Sequence, residues 1–569
     1  MNDKFLFKDK GNHVIETTMS GKSLLSYAKL NKGSAFNKDE RDQLCLIGLL
    51  PHKIETIAEH TLRIIEQLKL FDDPFQKSIF LKSLLNTNEI LYLRVISENF
   101  NELLPYIYTP HISQSVIQFS QQFRHSRGVY FCYEERDKIQ DIVDNLTYQQ
   151  LDLIVVTDGG GVLGIGDQGV GGMDISISKL NLYLCCGGIS PYRSVAIYLD
   201  VGTNNSQLIN NPMYLGWRHP RINEDNYNSF VDEIVYTMKK RYQNLFFHWE
   251  DFQAKQAYRH LDAYKESICG FNDDIQGTGI VAVSAIETAI KRLNIQSILS
   301  IKILVFGAGN AGCGIARNIR DFLIQSGVTE KEAKNQIYLV DRNGLIVEGL
   351  EEIRPSQLEF QRYDEQSKNL QGKPLLELVD TLSPMILIGC SAFAGAFSER
   401  VISSISRSHK NPIILPLSNP IEKIEATPKD ILHWSEGRAY IATGSPFSPV
   451  EIHGKRVEIG QCNNIFAFPG LGFAAVFLKL TSISNSIFKV ASSTISEFTL
   501  EKYPDSRLLV PLTEHTRKVS FEVSKSICLF ALKNGLNNNP NVNENNYIKL
   551  LREFRWDIDY PTIKHVENL

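Results

Sequence analysis

The spacing of apolar residues changes along the chain and divides it into regions. Over residues 38–100 the spacing is helical, with Leu62, Ile65 and Leu68 in one run and Leu81, Leu84 and Leu85 in another, and turn signals between them. The polar run Asp39, Glu40, Arg41, Asp42 begins one of these helices, which ends before Pro51. Short apolar runs of strand length then appear at 129–133, 151–157 and 194–201. Residues 277–293 return to helical spacing, with Ala282, Ile286, Ala289 and Leu293 on one face. Beyond a boundary near Ser297, strand-like runs at 301–306, 337–341, 385–389 and 412–417 alternate with helical segments, as a doubly wound sheet requires. A polar linker at 537–546 precedes a C-terminal segment carrying Leu550, Leu551, Phe554 and Trp556.

Candidate chemistry sits in the breaks between these runs. The stretch 247–293 holds two acidic pairs, Glu250-Asp251 and Asp273-Asp274, framed by Trp249, Phe252 and Phe271 rather than by lysine or arginine. Adjacent acids commonly cap helices or face water. Two pairs in apolar frames, the second running into Gly277-Thr278-Gly279, bring a site for a hard divalent cation level with that reading. Between residues 157 and 179 eight glycines make a loop whose backbone can approach a small ligand. Lys179 closes that loop and opens an apolar helix, so it is either an ordinary surface lysine or an amine drawn into a pocket with a lowered pKa. Pro105 and Pro110 bracket Tyr106 and Tyr108, which predicts a tyrosine on a stiff loop, and a buried aromatic anchor is the simpler reading of that stretch alone.

The strand at 301–306 runs into G-A-G-N-A-G, with Gly307, Gly309 and Gly312 as G-x-G-x-x-G, Asn310 and Ala311 within it, and a helix after it. A second strand ends in Asp341, which completes a dinucleotide arrangement: pyrophosphate on the helix N-terminus and a carboxylate on the ribose. Asp341 favours NAD, and the adjacent Arg342 leaves NADP open. Asn419 and Asn464 lie in loops that follow later strands, where side-chain amides face ligand or simply form turns.

Composition narrows the partners. At 569 residues with 43% hydrophobic and 22% charged positions, the chain is an ordinary globular protein of two or three domains. A net charge of −4 argues against nucleic acid, and the most basic run, Lys239-Lys240-Arg241, reads as a solvated helix face. Nine scattered cysteines without C-x-x-C predict reduced thiols in a cytoplasmic protein. The first eight residues lack a signal-peptide core, and the most apolar run, 465–478, is too short and too interrupted by Pro469, Gly470 and Gly472 to cross a bilayer.

Taken in order, Y-T-P at Tyr108, T-D-G through L-G-I-G-D-Q-G to K-L at Lys179, W-E-D-F, F-N-D-D-I-Q-G-T, G-A-G-N-A-G, L-S-N-P and G-S-P-F-S-P-V resemble the malic enzyme family along nearly the whole chain. The resemblance implies an α/β architecture: a catalytic domain over 1–275, helical over 1–125 and α/β over 126–275, a Rossmann-type NAD-binding domain over 276–536, and a linker with a helical tail over 537–569. It implies decarboxylation of L-malate with NAD and Mn2+ or Mg2+, and a homodimer or homotetramer with the N-terminal helices as contacts. By matching position it makes Tyr108 the general acid, Lys179 the general base and Asp273 the partner of the lysine. Glu250, Asp251 and Asp274 become metal ligands, and Asn419 and Asn464 bind substrate or nicotinamide.

Two departures from the family pattern stand out. Typical members carry a substrate-clamping arginine where this chain has Gly161, a loss worth about 1.5–3 kcal/mol of charge-assisted contact. Glycine there, with H-W-E-D-F and D-I-Q-G-T-G-I-V, resembles the malolactic branch, which releases lactate and CO2 with NAD retained. Malolactic output is the favoured reading, pyruvate release with NADH is the alternative, and a nucleotide-binding protein that does not catalyse is a remote third. Arg63 matches one arginine of a fumarate activator site, but Thr87 stands where the second would be, so fumarate activation is not expected.

Overall fold

The computed structural model describes residues 5–11 and 13–569; residues 1–4, part of the stretch read above for a signal, lie outside the described residues. The N-terminal region is helical: Lys38–Gln43, Ile57–Leu68, Pro74–Thr87, Glu89–Glu98 and Phe100–Ile107 follow one another with short turns. Local chemistry sets their starts. Asn37 and Thr56 each form a capping box with a glutamate three residues on, and Asp73 caps a helix that opens on Pro74. Within Ile57–Leu68 the inward row is His60, Thr61, Ile64 and Leu68, while Leu62 points out and is 64% exposed. The expected leucine stripe is thus displaced, because buried His60 is held from both sides by Ser34 at 2.6 Å and Tyr560 at 2.9 Å.

Two parallel sheets carry the rest. The first has five strands in the order Val129–Cys132, Ser194–Asp200, Leu153–Thr157, Phe246–Trp249, Cys269–Asn272. The second has seven, with Ile303–Phe306 at its centre between Ile337–Asp341 and Ile386–Gly389. Only its edge strand Gly344–Leu345 is antiparallel. Apolar runs without alternation suit strands covered on both faces, and Leu153–Thr157 and Ile386–Gly389 are buried at every position. The helix Thr278–Arg292 joins the two sheets, with Ala282, Ile286 and Ala289 buried as its spacing predicts.

The chain ends meet. After the helix Tyr547–Phe554 the C-terminus is not purely helical: Thr562–His565 forms a strand parallel to Val14–Thr17, completing a three-stranded sheet with Phe7–Asp9. Buried Lys32 bonds Glu40 at 2.7 and 2.8 Å and the carbonyl of Pro561 at 3.0 Å, and Glu40 accepts the Ile563 N–H at 3.0 Å. Lys32→Met leaves Glu40 buried without its cation and is expected to destabilise the fold by about 3–5 kcal/mol. A lower Tm with faster amide exchange at Ile563 would register it. All nine cysteines are unpaired, and among the described residues no helix is long and apolar enough to cross a membrane.

Candidate active site

Both acidic pairs emerge at the carboxyl edge of the five-stranded sheet, Glu250-Asp251 after Phe246–Trp249 and Asp273-Asp274 after its neighbour Cys269–Asn272. This is the edge at which parallel sheets bind ligands. The Glu250 N–H donates to the Val156 carbonyl at 2.9 Å, and Asp251 then turns in left-handed backbone at φ 54°. That turn aims the Asp251 N–H at Asp274 Oδ2, 2.8 Å away, and locks the two pairs together. Asn272 accepts the Ile275 N–H at 2.9 Å and starts the tight segment Asp273–Gly277 ahead of the long helix.

Carboxylate oxygens of Glu250, Asp251 and Asp274 lie within 4.8 Å of one another, and all three residues are buried. Burial raises their pKa values, and neighbouring acids add to it. Glu250 is pushed up to about 8, with Asp273 reinforcing burial, and Asp274 to about 8, with Glu250 and Asp273 doing so. Asp251 is raised well above the ordinary carboxylate range by burial and by Asp274 and Glu250. Three buried acids that repel one another suit a hard divalent cation such as Mn2+ or Mg2+, which takes oxygen donors and supplies the missing charge.

Lys179 lies in the last turn of the helix Met173–Leu182, so the helix begins six residues before the lysine expected to open it. Its amine pairs with Asp273 and, at 3.0 Å, with Glu250 Oε1. It also sits over the rings of Tyr108 at 5.3 Å and Phe468 at 5.0 Å. Burial alone would depress this amine, but the charges of Asp273 and Glu250 outweigh it and hold the pKa well above that of a free lysine. The expectation of a lowered pKa is therefore corrected for the protein without a cation. Tyr108 departs likewise. Pro105 lies inside the helix Phe100–Ile107 and Tyr108 caps that helix, rather than projecting from a loop. Burial raises its phenol pKa far more than nearby Lys179 lowers it. Asn464 donates to Asp273 Oδ2 at 3.0 Å and to Thr278 Oγ1 at 3.1 Å, which joins it to the same cluster.

The glycine-rich loop is pinned by a residue without a local signal. Arg221 bonds Asp158 at 2.8 Å and Asp167 at 2.9 Å, one acid just before the glycine run and one within it, and its charge is matched only in three dimensions. Gly161 faces the acidic loop: its N–H donates to the Asp251 carbonyl at 2.8 Å, and a Cβ there would lie 2.7 Å from the Phe252 carbonyl carbon. The Phe252 backbone occupies the space a larger residue would need. A partly open cavity of about 260 Å3 lies apart from Glu250, Asp251, Asp273 and Asp274; among its lining residues are Ile107 and Ser178, the chain neighbours of Tyr108 and Lys179.

On the second sheet Gly307 adopts φ 110°, and the helix Asn310–Gln325 starts immediately after Gly309, with Ala311 in its first turn. Gly312 packs tightly on the Gly307 backbone, its Cβ position 3.0 Å from the Gly307 carbonyl carbon. Among the described residues Asn310 Oδ1 is buried without a hydrogen-bond partner at the head of this helix, and Asp273 Oδ1 is likewise unpartnered. Gly314 brings the same helix onto the acidic turn, where a Cβ would lie 2.9 Å from the Ile275 carbonyl carbon. Asp341 Oδ2 accepts bonds from Arg354 at 2.6 Å and Gln357 at 2.7 Å, so these side chains, not exposed Arg342, are its partners. Asn419 follows the strand Ile413–Pro416 and accepts from Ser445. Its carbonyl approaches Gly164 of the glycine loop, within 3.1 Å of where a Cβ would stand.

The family models described as malic enzyme N-terminal domain and malic enzyme NAD binding domain match residues 85–265 and 275–532. An NAD-dependent malic enzyme of Psychrobacter cryohalolentis is 40% identical over 521 residues, covering 91% of this chain and 93% of its own. One from Shewanella frigidimarina is 39% identical over 535 residues, covering 93% and 94%. Among solved structures, the malic enzyme of Entamoeba histolytica shares the fold with a TM-score of 0.57 at 20% identity, covering 91% of this chain and 92% of that one. The chain belongs to the malic enzyme family.

Proposed function

We propose that this protein oxidatively decarboxylates L-malate to pyruvate and CO2, with NAD as hydride acceptor and Mn2+ or Mg2+ at Glu250, Asp251 and Asp274. The observation that carries the reading is the convergence of those three acids with the Lys179 amine and the Tyr108 ring beside the dinucleotide helix. When bound, the cation stabilises the negative charge that develops as CO2 leaves, and NAD takes the hydride from C2. Lys179 removes the malate hydroxyl proton, its amine held by Asp273, which Asn464 holds in turn. Glu250 pairs with Lys179 and belongs to the acid cluster, so its use as a cation ligand would remove one of the charges that raise the lysine pKa. Tyr108 supplies the proton to carbon after CO2 departs, a role that suits a phenol kept protonated by burial.

The relatives at 39–40% identity carry the name NAD-dependent malic enzyme, which supports pyruvate release over the malolactic output first favoured. Gly161 keeps lactate release as the second reading, because the arginine that clamps a substrate carboxylate is missing. Incubation with L-malate, NAD and Mn2+ decides between them. NADH equal to the CO2 evolved is the expected result, and lactate without accumulating NADH overturns it.

Asp341 supports NAD as the preferred dinucleotide. Asp341→Ser removes a charge-assisted contact and is expected to raise the KM for NAD by roughly tenfold or more while improving NADP turnover. Steady-state rates with the two cofactors check it. Self-association is part of the proposal, with exposed Ile47, Leu62 and Leu70 on the N-terminal helices and turns as its contacts, and sedimentation velocity tests it.

A further inference from the structure

The strand Phe246–Trp249 alternates its side chains, so Phe247 and Trp249 enter one hydrophobic cluster and Phe246 another. His248 shares the face of Phe246 and is fully buried. Three aromatic rings cage it: Phe271 at 5.0 Å, and Tyr183 and Phe468 each at 5.5 Å. Such a cage ordinarily holds a phenylalanine or leucine. Here both ring nitrogens are engaged, Nδ1 with Tyr183 Oη at 2.9 Å and Nε2 with Glu250 Oε2 at 2.6 Å.

We propose that Tyr183 and His248 form a buried relay that positions Glu250 for cation binding. As a cation ligand Glu250 is ionised and only accepts hydrogen bonds, so Nε2 then carries the proton toward it and Nδ1 accepts from the Tyr183 hydroxyl. One carboxylate oxygen is thereby pinned and Oε1 is presented to the site, where Lys179 holds it at 3.0 Å. The Tyr183 ring is placed in turn by Gly472, where a Cβ would stand 3.2 Å from the phenol oxygen. The imidazole could instead be a ligand itself, since His248, Glu250 and Asp273 also lie within 4.8 Å of one another. Its two existing partners argue against that, because ligation through Nε2 would break the bond to Glu250. Orienting bonds of this kind fix ligand geometry and govern metal affinity.

The inference rests on the acid cluster being a cation site, and the test separates the two. Mn2+ affinity is read by electron paramagnetic resonance of free Mn2+, with NAD affinity as the control for an intact fold. His248→Phe fills the cage without a donor and is expected to weaken Mn2+ binding by about 10- to 100-fold with NAD binding unchanged. His248→Gln keeps a donor toward Glu250 and is expected to recover most of that loss, which a purely packing role would not do. Tyr183→Phe is expected to fall between the two. Wild-type Mn2+ affinity in His248→Phe overturns the relay, and nitrogen hyperfine coupling to bound Mn2+ overturns it in favour of direct ligation. If His248→Phe folds poorly, Tyr183→Phe decides alone: weaker Mn2+ binding supports the relay and unchanged binding overturns it. Failure of the wild-type protein to bind Mn2+ refutes the cation site instead.

Discussion

Replacing Lys179 with methionine is expected to lower kcat on L-malate by roughly 10^2- to 10^4-fold, the range for loss of a positioned general base, with a much smaller change in KM. Methionine preserves the length of the side chain and its packing over Tyr108 and Phe468, so the loss isolates the amine. The amine sits at the centre of the site, paired with Asp273, bonded to Glu250 and stacked on the phenol. If it only neutralised Asp273, the variant would be destabilised yet turn over at a normal rate once folded. If it is the base, the residual rate should lose the pH dependence that the wild-type amine imposes, and small primary amines should restore part of the activity. A kcat within a few-fold of wild type in well-folded Lys179→Met would remove Lys179 from the chemistry.

The environment of Lys179 also shows where sequence reading stops. The glycine loop and the following leucines left it between an ordinary surface lysine, the default, and an amine in a pocket, and the fold buries it. The direction of its pKa was not legible from the residues around it, because its strongest partner, Asp273, lies 94 residues further on and was named only through the family resemblance. A local window registers desolvation and misses a charge that only the fold brings in. The acids themselves were legible because Trp249, Phe252 and Phe271 marked their surroundings as apolar and glycines follow the second pair; the strands that precede both pairs, Phe246–Trp249 and Cys269–Asn272, appear only in the fold. The dinucleotide turn was legible because strand, glycines, helix and Asp341 are consecutive. Arg221, Arg354 and Gln357 escaped notice because a polar residue in a loop has no periodicity, and its partner is fixed only on folding. The strand Thr562–His565 escaped because three of its four residues are exposed and its pairing partner, Val14–Thr17, is at the other end of the chain. His248 lies inside the quoted motif H-W-E-D-F, but the sequence alone does not reveal that a buried imidazole reaches both Tyr183 and Glu250.

The acid cluster yields the second large prediction, in which stability and function pull apart. Without a cation, Glu250 titrates near about 8 instead of its ordinary 4.5, and Asp274 near about 8 instead of 3.8. The folded protein therefore holds protons that the unfolded chain has released, so these groups progressively cost stability as pH rises from about 4 to about 8. Metal-free wild type should lose Tm across that window, and Mn2+ should reverse the trend by binding the deprotonated acids, adding about 2.7 kcal/mol at a concentration 100 times its Kd. Asp274→Asn removes one charge from the trio. It should be more stable than metal-free wild type at pH 8, nearly equal to it at pH 4, unresponsive to Mn2+, and inactive toward L-malate. The difference between variant and wild type cancels the titration of every distant group, so the window belongs to this cluster. A variant that is less stable at pH 8, or that keeps the Mn2+ response, would mean that the three carboxylates do not share one cation.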